Sequence, residues 1–325
     1  MARRPADLPA GRLAVLGAAS PAGAHLKAAL ADRGVPGDRV ELFGQDSEVA
    51  VLSEYDGEAR LVQPASRLDP AAHAGVFVCE TGHDAAGLLA AARAGTLIVD
   101  LVGALPEAPL AGTPDARGPA RLVAVPHPVS MMLASLLEPL HRGLGLARVS
   151  AFVLRPASDF GEGGLEELRE QTVRLLRFES TPTALFGRQL AFNVIPGHLA
   201  PDPEDGAAER IARECGALLG SASLPIVVSL AIAPIFFGHG IAAHVDLLRG
   251  GKDEAAALLR SASGVRLAQG EDEGAVLDAP EGPGLSVARI DATPGPALRI
   301  WALASEAGAS AAGAAVRLGH EAGIL

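Results

Sequence analysis

The chain has 325 residues, 49% hydrophobic and 20% charged, which is long enough for two domains that each bury a core. Its formal net charge of −11 argues against nucleic acid as a partner, because phosphates attract basic surfaces. The apolar runs are too interrupted to cross a membrane, no signal-like segment follows the two N-terminal arginines, and the two cysteines match neither a disulfide framework nor a metal site. We therefore expect a cytoplasmic protein without a metal.

The first half of the chain alternates between short apolar strands and helices. Residues 12–16 predict a buried strand, residues 17–23 a tight turn, and residues 24–32 a helix that ends before Gly34. Residues 39–43 predict a second strand. This order of strand, helix and strand is typical of a βαβ unit with parallel strands and a right-handed crossover.

The same alternation continues to about residue 125. Residues 75–79 and 96–100 predict buried strands on either side of a helix at 85–94, and residues 121–125 predict another strand. Repeated βαβ units at this spacing indicate an α/β fold with a Rossmann-type, doubly wound parallel sheet.

The pattern changes near residue 127, after which the strands are longer and long connections separate them. We interpret this half as an α+β region with a mostly antiparallel sheet. The predicted strands cover residues 148–154, 223–235, 241–248, 284–290 and 298–303, and the predicted helices cover residues 165–176, 209–219 and 307–322.

Several motifs follow one another along the chain in a characteristic order. They are the glycine turn at 17–23, the strand at 96–100, the helix end Glu138–His141, residues 158–168, residues 191–196, Gly238 with His239, residues 287–290 and Trp301. No single motif is specific, but in this order they resemble the aspartate-semialdehyde dehydrogenase family. The resemblance implies a dinucleotide-binding domain of residues 1–126 and 306–325, a substrate and dimerisation domain of residues 127–305, and a homodimer.

The resemblance also implies a catalytic cysteine near residue 128, where the family has Asn-Pro-Asn-Cys. Pro128 occupies that position, and proline has no nucleophilic atom that could attack an aldehyde. Proline is a common first residue of a helix, which is the simplest interpretation. Two alternatives stay open. In the first, Ser130 is a substitute nucleophile activated by His239. In the second, Cys79, at the end of a strand, is the nucleophile in a displaced position, although a cysteine there can also be a small buried residue.

The other positions of the family's site have changed in character. The glutamine that orients the substrate aligns with Arg155, the arginine that grips phosphate aligns with Pro106, and the arginine that binds the substrate carboxylate aligns with Ile232. An apolar side chain does not replace the bidentate contacts of arginine to an oxyanion. Glu214 is a candidate for the carboxylate that binds the substrate amine. His239 matches the family's acid–base histidine, although a histidine after glycine at a strand end is commonly structural.

The glycine turn is a weakened dinucleotide site. Such turns need small residues so that backbone amides can approach a pyrophosphate, and here a serine followed by a proline replaces the middle glycine. Residues 42–47 offer no basic side chain for the 2′-phosphate of NADP, whereas Asp46 or Glu48 could contact a ribose and favour NAD. We expect NAD or NADP to bind weakly, if a cofactor binds at all. The candidate cofactor residues are Gly17, Ala18, Ala19, Ser20, Pro21, Ala22 and Gly23.

We interpret the chain as a catalytically depleted paralogue of this family that keeps the fold and the homodimer. Its expected role is binding or assembly, with a small metabolite or a catalytically active paralogue as partner. The alternative is an active NAD(P)-dependent oxidoreductase that acts on an aldehyde or oxo group without a cysteine, with His239 as the proton donor. A third hypothesis is a regulator that binds nucleotide and has no turnover.

Overall fold

Separate hydrophobic cores divide the chain into two units. In this computed structural model the first unit comprises Met1–His127 and Ser310–Leu325, and the second comprises Pro128–Ala309. The structure describes residues 11–45, 52–113, 122–199, 206–268, 273–279, 284–305 and 310–325.

The strands and helices of the described residues follow the chain in two series. The first series is β1 (Leu13–Leu16), α1 (Pro21–Asp32), β2 (Val40–Gly44), β3 (Leu52–Tyr55), β4 (Glu58–Leu61), β5 (Gln63–Pro64), β6 (Gly75–Val78), α2 (Ala85–Arg93), β7 (Leu97–Asp100) and β8 (Leu122–Ala124). The second series is α3 (Pro128–Leu144), β9 (Leu146–Arg155), α4 (Gly161–Leu176), β10 (Ile195–Pro196), α5 (Ala207–Leu218), β11 (Ile226–Ile232), β12 (His239–Leu247), α6 (Lys252–Ser261), β13 (Val265–Leu267), β14 (Leu285–Thr293), β15 (Ala297–Ala304) and α7 (Ala311–Glu321).

The first unit is built on a six-stranded sheet in the order β5-β2-β1-β6-β7-β8, and its described strand pairings are parallel. Leu13 and Val15 of β1 belong to a core with α1 and α7, whereas Ala14 and Leu16 belong to a core with α2. Because successive side chains of a strand point to opposite faces, both faces of this sheet carry helices. The strand order reverses between β1 and β6, which is where doubly wound folds form their ligand crevice.

The second unit is built on a seven-stranded sheet in the order β10-β11-β9-β12-β15-β14-β13. Four of its strand pairings are antiparallel, and the pairs β9–β11 and β13–β14 are parallel. Apolar residues of α3, α5 and α6 pack with one face of this sheet into a large core. The opposite face of β9 and β11 leaves Phe152 and Val227 exposed.

The expected fold class is confirmed, because the chain combines a doubly wound parallel sheet with an α+β unit whose sheet is mostly antiparallel. Some predicted bounds were wrong. The strand predicted at 223–235 is confined to β11, and the helix predicted at 165–176 starts earlier, at Gly161. The sequence interpretation also missed α6 and the hairpin β3–β4. In that hairpin Asp56 and Gly57 have φ of 52° and 77°, as a type I′ turn requires.

None of the described helices is long and apolar enough to cross a membrane. The described residues also contain no cluster of three or more His, Cys, Asp or Glu side chains that could hold a metal ion. The cytoplasmic location stays a prediction.

The turn after β1 depends on a close approach that only glycine permits. A Cβ on Gly23 would lie 2.1 Å from the carbonyl oxygen of Gly17, and that backbone oxygen cannot move away cheaply. We expect Gly23→Ala to destabilise the first unit by about 1–3 kcal/mol through overpacking. In α4, Gly163 faces open space, so Gly163→Ala should be neutral or stabilise by up to ~1 kcal/mol. Urea unfolding followed by circular dichroism measures both, and a wild-type midpoint for Gly23→Ala would contradict the close packing.

Candidate functional site

The ends of three neighbouring strands meet at one edge of the second sheet. Ile232, the last residue of β11, pairs in register with Arg155, the last residue of β9. On the other side of β9, Leu154 pairs with Gly240, so His239 begins β12 level with Arg155. The register therefore brings together three positions that the sequence singled out.

Arg155, Asp159 and His239 form a buried ion network at this edge. Nε of Arg155 donates a hydrogen bond to Oδ2 of Asp159 at 2.7 Å, and Nε2 of His239 lies 3.2 Å from each carboxylate oxygen. Asp159 belongs to a 3-10 turn, Ala157–Phe160, that follows β9. The guanidinium of Arg155 also lies 5.2 Å from the centre of the Phe160 ring, a cation–π distance. The His239 side chain is only 1% exposed.

The charges in the network favour an ionised Asp159. Burial opposes ionisation of this carboxyl, but attraction to His239 and Arg155 outweighs burial and holds the pKa of Asp159 well below its ordinary value. Nδ1 of His239 is buried and has no hydrogen-bond partner among the described residues. The ring is therefore oriented through Nε2.

Ile232 lies in an apolar wall rather than in an anion site. Its side chain is 1% exposed, and the Phe160 and Phe186 rings of the same wall meet edge to face at 5.2 Å. The resemblance implies an arginine for a carboxylate here, and an apolar wall would instead disfavour a carboxylate, which would lose its hydration. The other buried members of this cluster are Ala157, Leu168, Leu190, Ala191 and Ile195.

The start of α3 carries no nucleophile in contact with His239. Pro128 is the half-buried first residue of the helix. Ser130 is fully buried, and its hydroxyl donates to Oε2 of Glu214 at 2.7 Å. Oε1 of Glu214 accepts from Nε of Arg210 at 2.7 Å. The interpretation that pairs Ser130 with His239 is therefore corrected: the observed partner of the hydroxyl is a carboxylate that joins α3 to α5.

Both cysteines are buried thiols. Cys79 lies in the core of the first unit and Cys215 in the core of the second, each at most 1% exposed. Burial raises the pKa of Cys215 to about 12 and raises that of Cys79 further above its ordinary range. A thiol with a raised pKa stays protonated near neutral pH, whereas the thiolate is the reactive form. These surroundings argue against Cys79 as a displaced nucleophile.

The glycine turn satisfies much of its own hydrogen-bonding capacity. The N–H groups of Gly17 and Ala18 both donate to the carbonyl of Phe43, at 2.9 and 3.0 Å. Ser20 caps α1, since its hydroxyl oxygen accepts from the N–H of Gly23 at 3.0 Å. Pro21 follows as the first residue of the helix and has no N–H to donate, and Ala19 and Ala22 complete the turn.

Three further predicted positions lie away from these contacts or outside the described residues. Pro106 is exposed in the turn after β7. Asp46 and Glu48, the candidates for a ribose contact, lie outside the described residues.

The sequence interpretation missed two partners. Asp159 stands four residues after Arg155, and Arg210 stands four residues before Glu214. Opposite charges four residues apart on a helix are a recognisable signal for ion pairing, so the pair of Arg210 and Glu214 on α5 could have been found from sequence. Arg155 ends a strand, so its pairing with Asp159 depends on the turn that follows.

The comparisons with known proteins agree with this architecture. A family model described as "Semialdehyde dehydrogenase, dimerisation domain" matches residues 137–306. The chain is 23% identical to aspartate-semialdehyde dehydrogenase 2 of Vibrio cholerae over 80% of this chain and 81% of that protein. It is 28% identical to a USG-1 protein homolog of Azotobacter vinelandii over 81% and 82% of the two chains. The solved structure of Vibrio cholerae aspartate semialdehyde dehydrogenase II complexed with ASA shares the fold, with a TM-score of 0.78, 23% identity and coverage of 95% and 97%.

Removing the charge of Asp159 should destabilise the second unit. In Asp159→Asn the guanidinium and imidazole lose their counter-charge, at a cost of about 3–5 kcal/mol for a broken buried pair. Because the folded-state pKa of Asp159 is depressed, its contribution is complete above the unfolded pKa of ~3.9 and is lost as pH falls further. We expect urea unfolding to show a wild-type advantage at pH 7 that narrows below pH ~4.

The matched control is Glu166→Gln, which removes a carboxylate from an exposed pair with Arg169. Exposed pairs contribute little, so this variant should unfold like the wild type. Equal midpoints for Asp159→Asn and Glu166→Gln at pH 7 would show that the Asp159 network carries no stability.

Proposed function

Because the chain belongs to the semialdehyde dehydrogenase family, we propose that it is a member without the thioester-forming, phosphorylating oxidation of aspartate semialdehyde. We propose that it acts as a homodimer in a binding or assembly role, with a small metabolite or a catalytically active paralogue as its partner. The observation that carries this proposal is Pro128 at the start of α3, where the family's nucleophile is expected.

The missing thiol removes a specific chemical step. In the family's reaction a thioester forms when a thiolate adds to the aldehyde carbon and the resulting adduct transfers a hydride to NAD(P)⁺. Pro128 offers no sulfur atom, and the hydroxyl of Ser130 is held by Glu214. Cys79 and Cys215 are buried with raised pKa values, which keeps both sulfurs protonated. No described side chain near the start of α3 therefore supplies the nucleophile.

The surroundings of His239 support the same conclusion for substrate binding. Ile232 is buried in an apolar cluster, and Asp159 places a negative charge beside Arg155 and His239. An anionic substrate would have to displace this carboxylate from Arg155 and His239. The carboxylate of Asp159 therefore already supplies, from within the chain, the negative charge that an anionic substrate would bring.

One prediction from this proposal concerns catalysis. Typical enzymes turn over on the order of 1–10³ times per second. Wild-type protein given aspartate semialdehyde, phosphate and NAD or NADP should show no turnover in this range. In Pro128→Cys, a thiol at the helix start should have a lowered pKa and react with one equivalent of a disulfide reagent, because helix N-termini stabilise thiolates. The variant should still lack turnover, because Ile232 and Asp159 are unchanged.

The control for the new thiol is Ser135→Cys, which places a sulfur on the exposed middle of the same helix. It should react at the rate of an ordinary thiol at pH 6, more slowly than Pro128→Cys. Turnover by the wild type would refute the loss of activity. Turnover by Pro128→Cys would show that the rest of the site is intact.

The open face of the second sheet supports the homodimer. A row of side chains in register crosses four strands of this face, from Ser229 to Phe152, Ala242 and Trp301. Phe152 is 43% exposed and Val227, on the same face, is 52% exposed. Exposed apolar surface on a sheet face is typical of an interaction site. The matching family model is that of a dimerisation domain, so we propose a second copy as the occupant.

Charging this face should separate the two copies. The wild type should elute with a mass of about 66 kDa, twice the 32.9 kDa of the chain, in size-exclusion chromatography with light scattering. Phe152→Asp with Val227→Asp should shift the mass to that of the monomer, because an interface would bury the two new charges unpaired. Leu52→Asp, at an exposed position on the first unit, should leave the dimer unchanged. A monomeric wild type would contradict the proposal.

A further inference from the structure

The crevice at the β1–β6 switch point of the first unit is bordered by two turns. One is the glycine turn after β1, and the other, residues 79–84, follows β6. The hydroxyl of Ser20 donates to the carbonyl oxygen of Cys79 at 2.8 Å, so a side chain of the first turn is tied to the second. In doubly wound folds a dinucleotide lies across this point, with its pyrophosphate at the first turn.

Glu80 covers the first residue of the glycine turn. Its side chain packs so closely that a Cβ on Gly17 would lie 2.6 Å from Cγ of Glu80. Oε1 of Glu80 lies 2.9 Å from Nε2 of His83, and the two side chains are only 12% and 9% exposed. A carboxyl group with little exposure to water, with the His83 ring beside it, therefore sits against the backbone that a pyrophosphate would have to approach.

Three backbone donors of this turn are engaged within the chain. A phosphate needs backbone N–H groups directed toward it, but those of Gly17 and Ala18 donate to Phe43, and that of Gly23 donates to Ser20. Pro21 has no N–H at the helix start. A carboxylate beside the turn adds repulsion between like charges, which is stronger where little water screens it. The family's NAD(P) thus meets a turn in which these three donors are engaged and against which the Glu80 side chain packs.

We propose that Glu80, positioned by His83, is a specificity-determining residue that excludes phosphate-bearing dinucleotides from this crevice. The exclusion rests on the proposed function in one respect: a chain without the dehydrogenase step has no need of the cofactor. Glu80 acts through the volume it occupies over Gly17 and through its charge. Its removal should therefore recover nucleotide binding without any change in the glycine turn.

The test is calorimetric titration of the full chain with NAD⁺ and NADP⁺ at low ionic strength. The wild type should show no saturable binding below about 1 mM, which corresponds to about −4 kcal/mol. Glu80→Ala should bind at least one of the two at least ten-fold more tightly than the wild type. Glu80→Gln keeps the volume and loses the charge, so an intermediate gain would divide the effect between the two causes. If Glu80→Ala does not fold, Glu80→Gln becomes the decisive variant.

Glu58→Ala is the control, because it removes the same charge from the exposed hairpin β3–β4. It should titrate like the wild type. Submillimolar binding by the wild type would overturn the exclusion, and so would Glu80 variants that bind no better than the wild type. These outcomes are separate from the proposed loss of the dehydrogenase step, which fails if the wild type turns over aspartate semialdehyde.

Discussion

The carboxylate of Asp159, buried between Arg155 and His239, determines what the edge of the second sheet can do. The register of β9, β11 and β12 delivers an arginine, an isoleucine and a histidine to the same level of the sheet. Two potential cations in a buried place need an anion, and a turn immediately after β9 supplies it from the chain itself. Once that anion is present, the cations are paired, and a ligand of negative charge gains little from them.

The apolar surroundings of Ile232 are maintained because buried polar side chains of α4 fix the position of a neighbouring segment. The carboxylate of Glu167 accepts from the N–H groups of Leu185 and Phe186, and the Gln171 amide oxygen accepts from those of Leu190 and Ala191. Buried polar groups are costly unless they are satisfied, and here backbone donors satisfy them. The same contacts bring Phe186 and Leu190 into the wall beside Ile232. The buried polar side chains of α4 thus hold the apolar residues around Ile232 in place.

In both units, polar side chains contact other groups of the same chain. Ser130 donates to Glu214, Ser20 donates to the backbone of Cys79, and Glu80 pairs with His83. In a site built for ligands, some such groups are left for the ligand to complete. Here groups of the same chain complete the hydroxyls of Ser130 and Ser20, which agrees with the proposed loss of chemistry at these sites. Preorganised polar groups accelerate a reaction only if they remain directed at the reacting atoms.

The sequence by itself determined the two architectures, the family likeness and the absence of sulfur at Pro128. Strand and helix periodicities, glycine turns and the order of motifs are local patterns, so they survive without knowledge of the fold. Only the tertiary structure decided which groups pair. Ser130 and Glu214 lie 84 residues apart, and Asp159 and His239 lie 80 apart, and no local pattern connects them. Glu80 likewise reaches Gly17 because two strands distant in sequence are neighbours in the sheet. Contacts of this kind arise from strand register, which forms only when the whole core is buried.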